Sequence, residues 1–398
     1  NIIAKYNEVG YRDARILNDT TYLNDDNTLT IEITLLEGDP YTFGEITFAG
    51  NKVYSNEKLN RQLGIKNGDI FDQSILDERI FGSSDGSDIS SIYLDDGYLF
   101  FNATPVEIAA NNRIIDLEIR IYEGDQARVN KVSVKGNTKT NDHVIMREIR
   151  TRPGDLFKRS DIMRSQRELA QMQYFDPEAF DVKIEPDQAR NEVDITYILA
   201  EKSSDQIQLQ GGWGAGRIVG QLGFTFNNFS TSNVFKKDKW KPLPTGDGQR
   251  MSITASSNGV YYQQYRISFV EPWLGGKKPN SLSVSLYKSI SSNGESDDQR
   301  QAIKLTGLTI GLGKRLKFPD DYFTIYNGIN FQQYELINSQ SFFSFTNGFS
   351  NNISYDIRLG RNSIDQLIFP RRGSNFSLGL KLTPPYSMFD NIDDYSSL

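Results

Sequence analysis

One histidine, His143, and no cysteine occur in the 398 residues, so the side chains that most readily bind transition metals or relay protons near neutral pH are almost absent. His143 has no second histidine to form a metal pair, and it falls at the start of a predicted helix, where a solvent-facing or capping role suits it. Gly211 to Gly216, GGWGAG, has the flexibility of a phosphate-cradling loop but fits neither GxGxxG nor a Walker A motif, and no strand–helix unit surrounds it. A flexible strand or hairpin is the better reading. Asp85 to Asp88, DGSD, offers oxygen ligands without the twelve-residue calcium loop and reads as a helix interruption. Serines and carboxylates are plentiful, but none has the partner or spacing that hydrolysis requires. No enzymatic reading survives, and no metal or other cofactor is expected.

The bulk properties narrow the class. A chain of this length implies two or more domains. Its mean hydropathy of −0.51 and the lack of a long apolar run exclude helical membrane spans but say nothing about a barrel, whose alternating residues average out as hydrophilic. The absence of cysteine excludes disulfides and Cys–zinc sites and suits a bacterial envelope protein. A net charge of −7 argues against nucleic acid as a partner. The opening NIIAKYNEVGY has no signal-peptide pattern and reads as the middle of a domain, so the chain is expected to be a fragment.

Two stretches repeat. Gly50-Asn51 recurs as Gly136-Asn137, and Gly68, Asp69 and Phe71 recur as Gly154, Asp155 and Phe157 at an unchanged spacing of 86. Glu37-Gly38-Asp39 recurs as Glu123-Gly124-Asp125, and Gly10-Tyr11 as Gly97-Tyr98. Within one unit, FGEITFAGN alternates as a strand with Ile46 and Phe48 on one face. Ser55 caps a helix bearing Leu59 and Leu63. A second helix is predicted from Gln73 to about Asp95, with Ile75, Leu76, Ile80, Ile89 and Tyr93 apolar. Two strands follow, the second alternating Ile115, Leu117, Ile119 and Ile121. The order βααββ implies a small sheet covered on one face by helices, with an edge open to strand addition.

After about residue 205 the helical period disappears. ISYDIRLG, NFSLGLKLT and SLSVSLYKS alternate apolar with polar residues, and about nine strands are expected, beginning near residues 206, 218, 249, 261, 281, 302, 322, 347 and 373. A soluble sandwich also alternates. The even-numbered connections, however, gather proline and most of the cations, while odd ones such as SSNGESDDQRQ are polar. Tyr262, Trp273, Tyr322, Phe323 and Phe369 near strand ends suit interfacial aromatic girdles.

The order of elements, the GN after the first strand, the GD.F between helices and the GY before the second strand resemble POTRA domains, the periplasmic modules of outer-membrane assembly proteins. YRISFVEPWL, GQLGFTFNNF, KKDKWKPLPTGDGQ and FPRRGSNFSL resemble strand and turn motifs of the barrel in the same family. The resemblance implies tandem α+β POTRA domains followed by the N-terminal part of a transmembrane antiparallel β-barrel. It places the C-terminal half of one POTRA domain at residues 1–40, complete ones at 41–125 and 126–202, and the barrel part at 205–398. In the last POTRA domain Tyr174-Phe175 replaces the Gly-Tyr pair. The family's sixteen strands exceed the nine read here, NIDDYSSL lacks a final aromatic-ended strand, and no Arg-Gly-Phe-type motif is found; the remainder of the barrel is expected to be missing.

The implied location is the outer membrane, with POTRA domains in the periplasm. The implied function is that of a central insertase which receives unfolded β-barrel clients and templates their folding without nucleotide. Accessory outer-membrane lipoproteins and membrane lipid are the other implied partners. The implied seam is the first barrel strand, with Ile207, Leu209, Gly211, Gly212, Gly214 and Gly216, its glycines either weakening pairing or serving a tight hairpin. The implied client-receiving edges carry Ile46, Phe48, Val132 and Val134. The alternative is a two-partner-secretion pore exporting a partner through the barrel; a soluble binding scaffold is a third reading.

Overall fold

The computed structural model describes residues 2–83, 86–214, 217–240, 243–296, 299–339, 346–364 and 369–384. They form two compact units, Asn1–Gly136 with Ile145–Ala200, and Asn137–Val144 with Glu201–Leu398.

The first unit opens with α1 (Ile2–Glu8) and the hairpin β1 (Arg15–Leu23) and β2 (Leu29–Leu36). Next come β3 (Thr42–Ala49), α2 (Asn56–Leu63), α3 (Gln73–Asp77), α4 (Ile89–Asp95), β4 (Asn102–Asn111) and β5 (Ile114–Tyr122). The sheet order is β3-β5-β4, with β3 parallel to β5 and β4 antiparallel to it. The pattern repeats through β6 (Arg128–Lys135), α5 (Asp142–Met146), α6 (Arg159–Gln171), β7 (Asp181–Asp187) and β8 (Glu192–Ile198), in the order β6-β8-β7.

Each module has its own core. Leu59, Leu63, Leu76, Ile80, Ile89 and Tyr93 from the helices meet Ile115, Leu117, Ile119 and Ile121 from β5. Ile145, Ile149, Ile162 and Leu169 meet Val193, Ile195 and Tyr197 from β8 in the second. Each fully buried side chain of this size contributes about 1.5–3 kcal/mol. The expected helix over Gln73–Asp95 is corrected: α3 runs into a π-helical turn at Glu78–Gly82, and α4 starts afresh. Gly82 and Gly86 favour leaving the helix, and Asp88 begins the next one by accepting from the Ser91 N–H at 3.0 Å. Ile75 is exposed, whereas Leu76 beside it is buried.

The second unit is a nine-stranded antiparallel meander: β9 (Gln206–Gly214), β10 (Arg217–Phe229), β11 (Gln249–Ser257), β12 (Tyr262–Glu271), β13 (Asn280–Ser292), β14 (Ala302–Arg315), β15 (Phe323–Ile337), β16 (Gly348–Asn362) and β17 (Asn375–Leu382). Among the described residues the sheet is open, with β9 and β17 at its two edges. The register lines up Ile207, Phe224, Ile253, Ile267, Leu286, Leu308, Phe331 and Ile353 as one row across eight strands. One residue over, the other face reads Gln208, Gly223, Thr254, Arg266, Tyr287, Gly307, Gln332 and Asn352. Six of the eight are exposed, from 38% at Ile253 to 73% at Ile207, and Phe224 and Leu308 are half-buried. A sandwich would bury that face under a second sheet; an apolar band turned outward, with polar residues inward, is the arrangement of a membrane barrel wall. Inside, Gln332 Nε2 donates to Tyr287 Oη at 2.7 Å and Asn352 Nδ2 to Gln332 Oε1 at 3.0 Å, so the polar face is cross-linked strand to strand.

Candidate functional site

Strand addition needs backbone groups without partners at a sheet edge. In each module one edge is the first strand, since β3 pairs within its sheet only with β5, and β6 only with β8. The opposite edges, β4 and β7, carry Pro105 and Pro186, and proline removes a donor. The first-strand edge is itself half closed. The Gly68 N–H donates to Phe43 O at 2.8 Å and the Phe43 N–H to Asp69 O at 2.9 Å; Gly154 and Asp155 treat Val129 likewise, at 2.7 and 2.9 Å. The repeated Gly-Asp thus caps the start of the edge.

A bulge follows at the same place in both modules, between Phe43 and Ile46 and between Val129 and Lys131. An aspartate from the neighbouring strand fills it: Asp116 Oδ1 accepts from the Glu45 N–H at 2.7 Å, and Asp194 Oδ1 from Asn130 Nδ2 at 2.8 Å. Ile46 and Phe48, and Val132 and Val134, lie beyond the bulge, where the strand has no outer neighbour in its sheet among the described residues. Their side chains pack on the two cores, so what this half of each edge offers is backbone.

The seam strand β9 pairs with β10 alone among the described residues. Ile207 and Leu209 are 73% and 80% exposed. Gly211 faces Gly220 across the pair, and Gly212 faces Val219. A Cβ at Gly211, Gly212 or Gly220 would meet nothing within 4 Å, so this stretch lacks the cross-strand side-chain contacts that stabilise a ladder. Gly214 ends the strand; Gly216 lies outside the described residues.

The repeat also contains a role that sequence reasoning missed. Glu123 Oε1 accepts from the N–H groups of Lys52 and Val53 at 2.8 and 2.9 Å. Glu201 does the same one repeat later: Oε2 accepts from Thr138 and Lys139, both at 2.8 Å, and Oε1 from Thr140 at 2.7 Å. The carboxylate after the last strand therefore pins the loop after the first. Glu37-Gly38-Asp39 and Glu123-Gly124-Asp125 signalled this position, but Glu201 lacks the Gly-Asp that follows the other two. Burial pushes the Glu201 carboxyl up, yet the hydrogen bonds from Thr138 and Thr140 outweigh it, and the pKa lies below its ordinary value.

Within the second unit, the segment 137–144 is also tied to the connection between β10 and β11. Asn141 Nδ2 donates to Asp247 Oδ1 at 2.9 Å, and Ser230 and Ser232 donate to Asp247 Oδ2, each at 2.6 Å. Asn228 Nδ2 donates to Thr140 Oγ1 at 2.9 Å. Burial works to raise the Asp247 carboxyl, but these donors, with the nearby His143, hold it below the ordinary value. His143 is 62% exposed, 4.0 Å from Asp247, as befits its expected solvent-facing place. Among the described residues no cluster of metal-ligating side chains forms.

Tandem modules with half-open edges, followed by a meander whose apolar face points outward, define a POTRA-bearing outer-membrane barrel protein. Comparison with known proteins agrees. A POTRA model, described as surface antigen variable number repeat, matches residues 41–124 and 127–202, and an Omp85 superfamily domain matches 245–393. Outer membrane protein assembly factor BamA of Nitratidesulfovibrio vulgaris is 26% identical over 77% of this chain and 37% of its own length. The BamA of Neisseria meningitidis serogroup B is 26% identical over 82% of this chain and 38% of its own length. A crystal structure of BamA from Haemophilus ducreyi lacking POTRA domains 1–3 superposes with a TM-score of 0.60 at 19% identity, covering 87% of this chain and 64% of that one. The chain carries POTRA repeats and an Omp85 superfamily domain, and it is similar to BamA-type outer membrane protein assembly factors. It spans between a third and two fifths of the length of these curated relatives. It is an outer-membrane protein whose POTRA domains lie in the periplasm.

Proposed function

We propose that the protein receives unfolded β-barrel clients by backbone pairing at the POTRA edges and templates their folding at the β9 seam. The carrying observation is the state of β9: an edge strand with exposed Ile207 and Leu209 whose middle, Gly211 opposite Gly220, lacks side-chain contacts. In lipid every peptide group needs a partner, so a weakly held edge favours exchange of its own pairing for that of an incoming strand. The driving force is the client's burial and hydrogen bonding, so neither nucleotide nor any catalytic residue enters. Residues 41–125 and 126–202 act as receiving modules, residues 205–398 supply the wall, and accessory lipoproteins and unfolded clients are the partners. The free halves of β3 and β6 suit a client in any sequence, because a backbone ladder reads no side chain.

The test is a disulfide locking β9, through a cysteine at Gln208, to the neighbour that closes the barrel in the full-length protein. Client assembly should stop under oxidation and resume on reduction. Undiminished assembly with the seam locked would remove lateral templating.

A further inference from the structure

The even-numbered connections of the meander share a feature that neither the POTRA edges nor the seam uses. They return to the end of the sheet where β9 begins, and each one leaves a large apolar side chain in the open beside cations. Phe235 is 95% exposed, Leu274 44%, Phe318 84% and Phe369 85%. Lys236 and Lys237 follow Phe235, Lys277 and Lys278 follow Leu274, Lys317 precedes Phe318, and Arg371 and Arg372 follow Phe369; all are exposed. At the opposite end, the connections 215–216, 258–261, 293–301 and 338–347 hold one basic residue, Arg300, beside Glu295, Asp297 and Asp298.

A large apolar side chain held in water is unfavourable, and three phenylalanines and a leucine at one rim are not scatter. Nor is the first of them a loose tip. Trp240 Nε1 donates to Val234 O at 3.1 Å and Asn233 Nδ2 to Thr245 O at 3.1 Å, so the connection around Phe235 is folded upon itself and still leaves the ring outside.

We propose that these four connections form a collar that binds the headgroup layer of an anionic phospholipid leaflet, the apolar side chains wedging below the phosphates and the lysines and arginines pairing with them. Two observations select lipid over a protein partner. The collar continues the outward apolar band, since Phe226 and its partner Met251 lie near the strand ends that lead into the Phe235 connection. The cations also flank the apolar side chains one connection after another around the rim, which matches a continuous negative surface rather than one docking patch. Each cation near such a surface raises local affinity about fivefold. The proposal rests on the outer-membrane location and stands whether or not β9 templates clients.

The experiment uses the full-length protein in nanodiscs of phosphatidylcholine with or without phosphatidylglycerol, its barrel verified by heat-modifiable migration. Nitroxide labels on Phe235→Cys and Phe369→Cys should report headgroup depth, and mass spectrometry should show phosphatidylglycerol retained in preference to phosphatidylcholine. Replacing Lys236, Lys237, Lys277, Lys278, Arg371 and Arg372 with glutamine should cut that preference at least tenfold with migration unchanged. Should that variant not fold, Lys277→Gln with Lys278→Gln, both in an exposed turn, should still lower it severalfold. Labels in free water or pressed against protein in both lipid mixtures, or an unaltered lipid preference in a folded variant, would overturn the collar.

Discussion

Gly136 lies against the carbonyl of Leu199, with φ at +95°, and a Cβ there would run into that oxygen. Gly50 holds the same relation to Ile121, with φ at +90°. The glycine of each repeated Gly-Asn is therefore fixed twice, by backbone conformation and by the closeness of the neighbouring strand. The asparagine after it completes the turn, since Asn51 Nδ2 donates to Tyr54 O at 2.8 Å and Asn137 Nδ2 to Thr140 O at 2.9 Å.

Gly136→Ala should destabilise its module by about 2–4 kcal/mol, the combined size of a left-handed backbone penalty and an overpacked contact. Gly50→Ala should act alike. Denaturant unfolding followed by Tyr fluorescence reads both; a loss below half a kilocalorie would show that the strands can spread apart.

Asp88 is fully buried and receives Arg159 Nη1 at 3.4 Å, while the same nitrogen donates to Ser91 Oγ at 2.6 Å. Ser160 N–H donates to Asp95 Oδ1 at 2.7 Å. These bonds tie α6 of one module to α4 of the one before it. Arg159→Ala removes one partner of a buried pair and should cost about 3 kcal/mol. Spin labels on α2 and α6 should show a broadened distance distribution in the variant and a narrow one in the parent.

The Glu201 clasp carries a pH dependence whose sign follows from its lowered pKa. A carboxyl depressed in the folded state stabilises fully above its ordinary value of 4.5, and that contribution disappears as pH falls through the lower folded value. Protection of the Thr138, Lys139 and Thr140 amides against hydrogen exchange should therefore hold at neutral pH and drop below that range. Glu201→Gln should lower protection by about 1–3 kcal/mol at pH 7 and make it insensitive to acid.

Ile310 stands on the outward apolar face and Thr309, its chain neighbour, on the polar one, where its Oγ1 donates to Asn330 Oδ1 at 2.8 Å. Ile310→Arg should weaken folding into lipid vesicles by about 2–4 kcal/mol, as a cation in the bilayer core does. Thr309→Arg should cost far less. Urea titration in vesicles distinguishes them, and equal effects would contradict the assignment of faces.

The alternation in the second half was legible because a period of two is a local property: each residue's type states its face, and the nine expected strand starts lie close to those of β9 to β17. The repeat was equally legible, since glycines at positive φ leave a mark that no other residue supplies. The apolar spacing over Gln73–Asp95 continues across the break, and DGSD marks the interruption; a π-helical turn at Glu78–Gly82 and the cap at Asp88 divide it. What sequence could not supply is everything set by distant pairings: that Gly68-Asp69 shuts half of the β3 edge, that Glu123 and Glu201 clamp loops some 60 to 70 residues away, that Asp247 gathers four donors and neighbours, and that Phe235, Phe318 and Phe369 end outside. Periodicity fixes which way a side chain points within its own element; which backbone groups are left without partners, and which side chains stay in the open, depends on what the rest of the chain brings alongside.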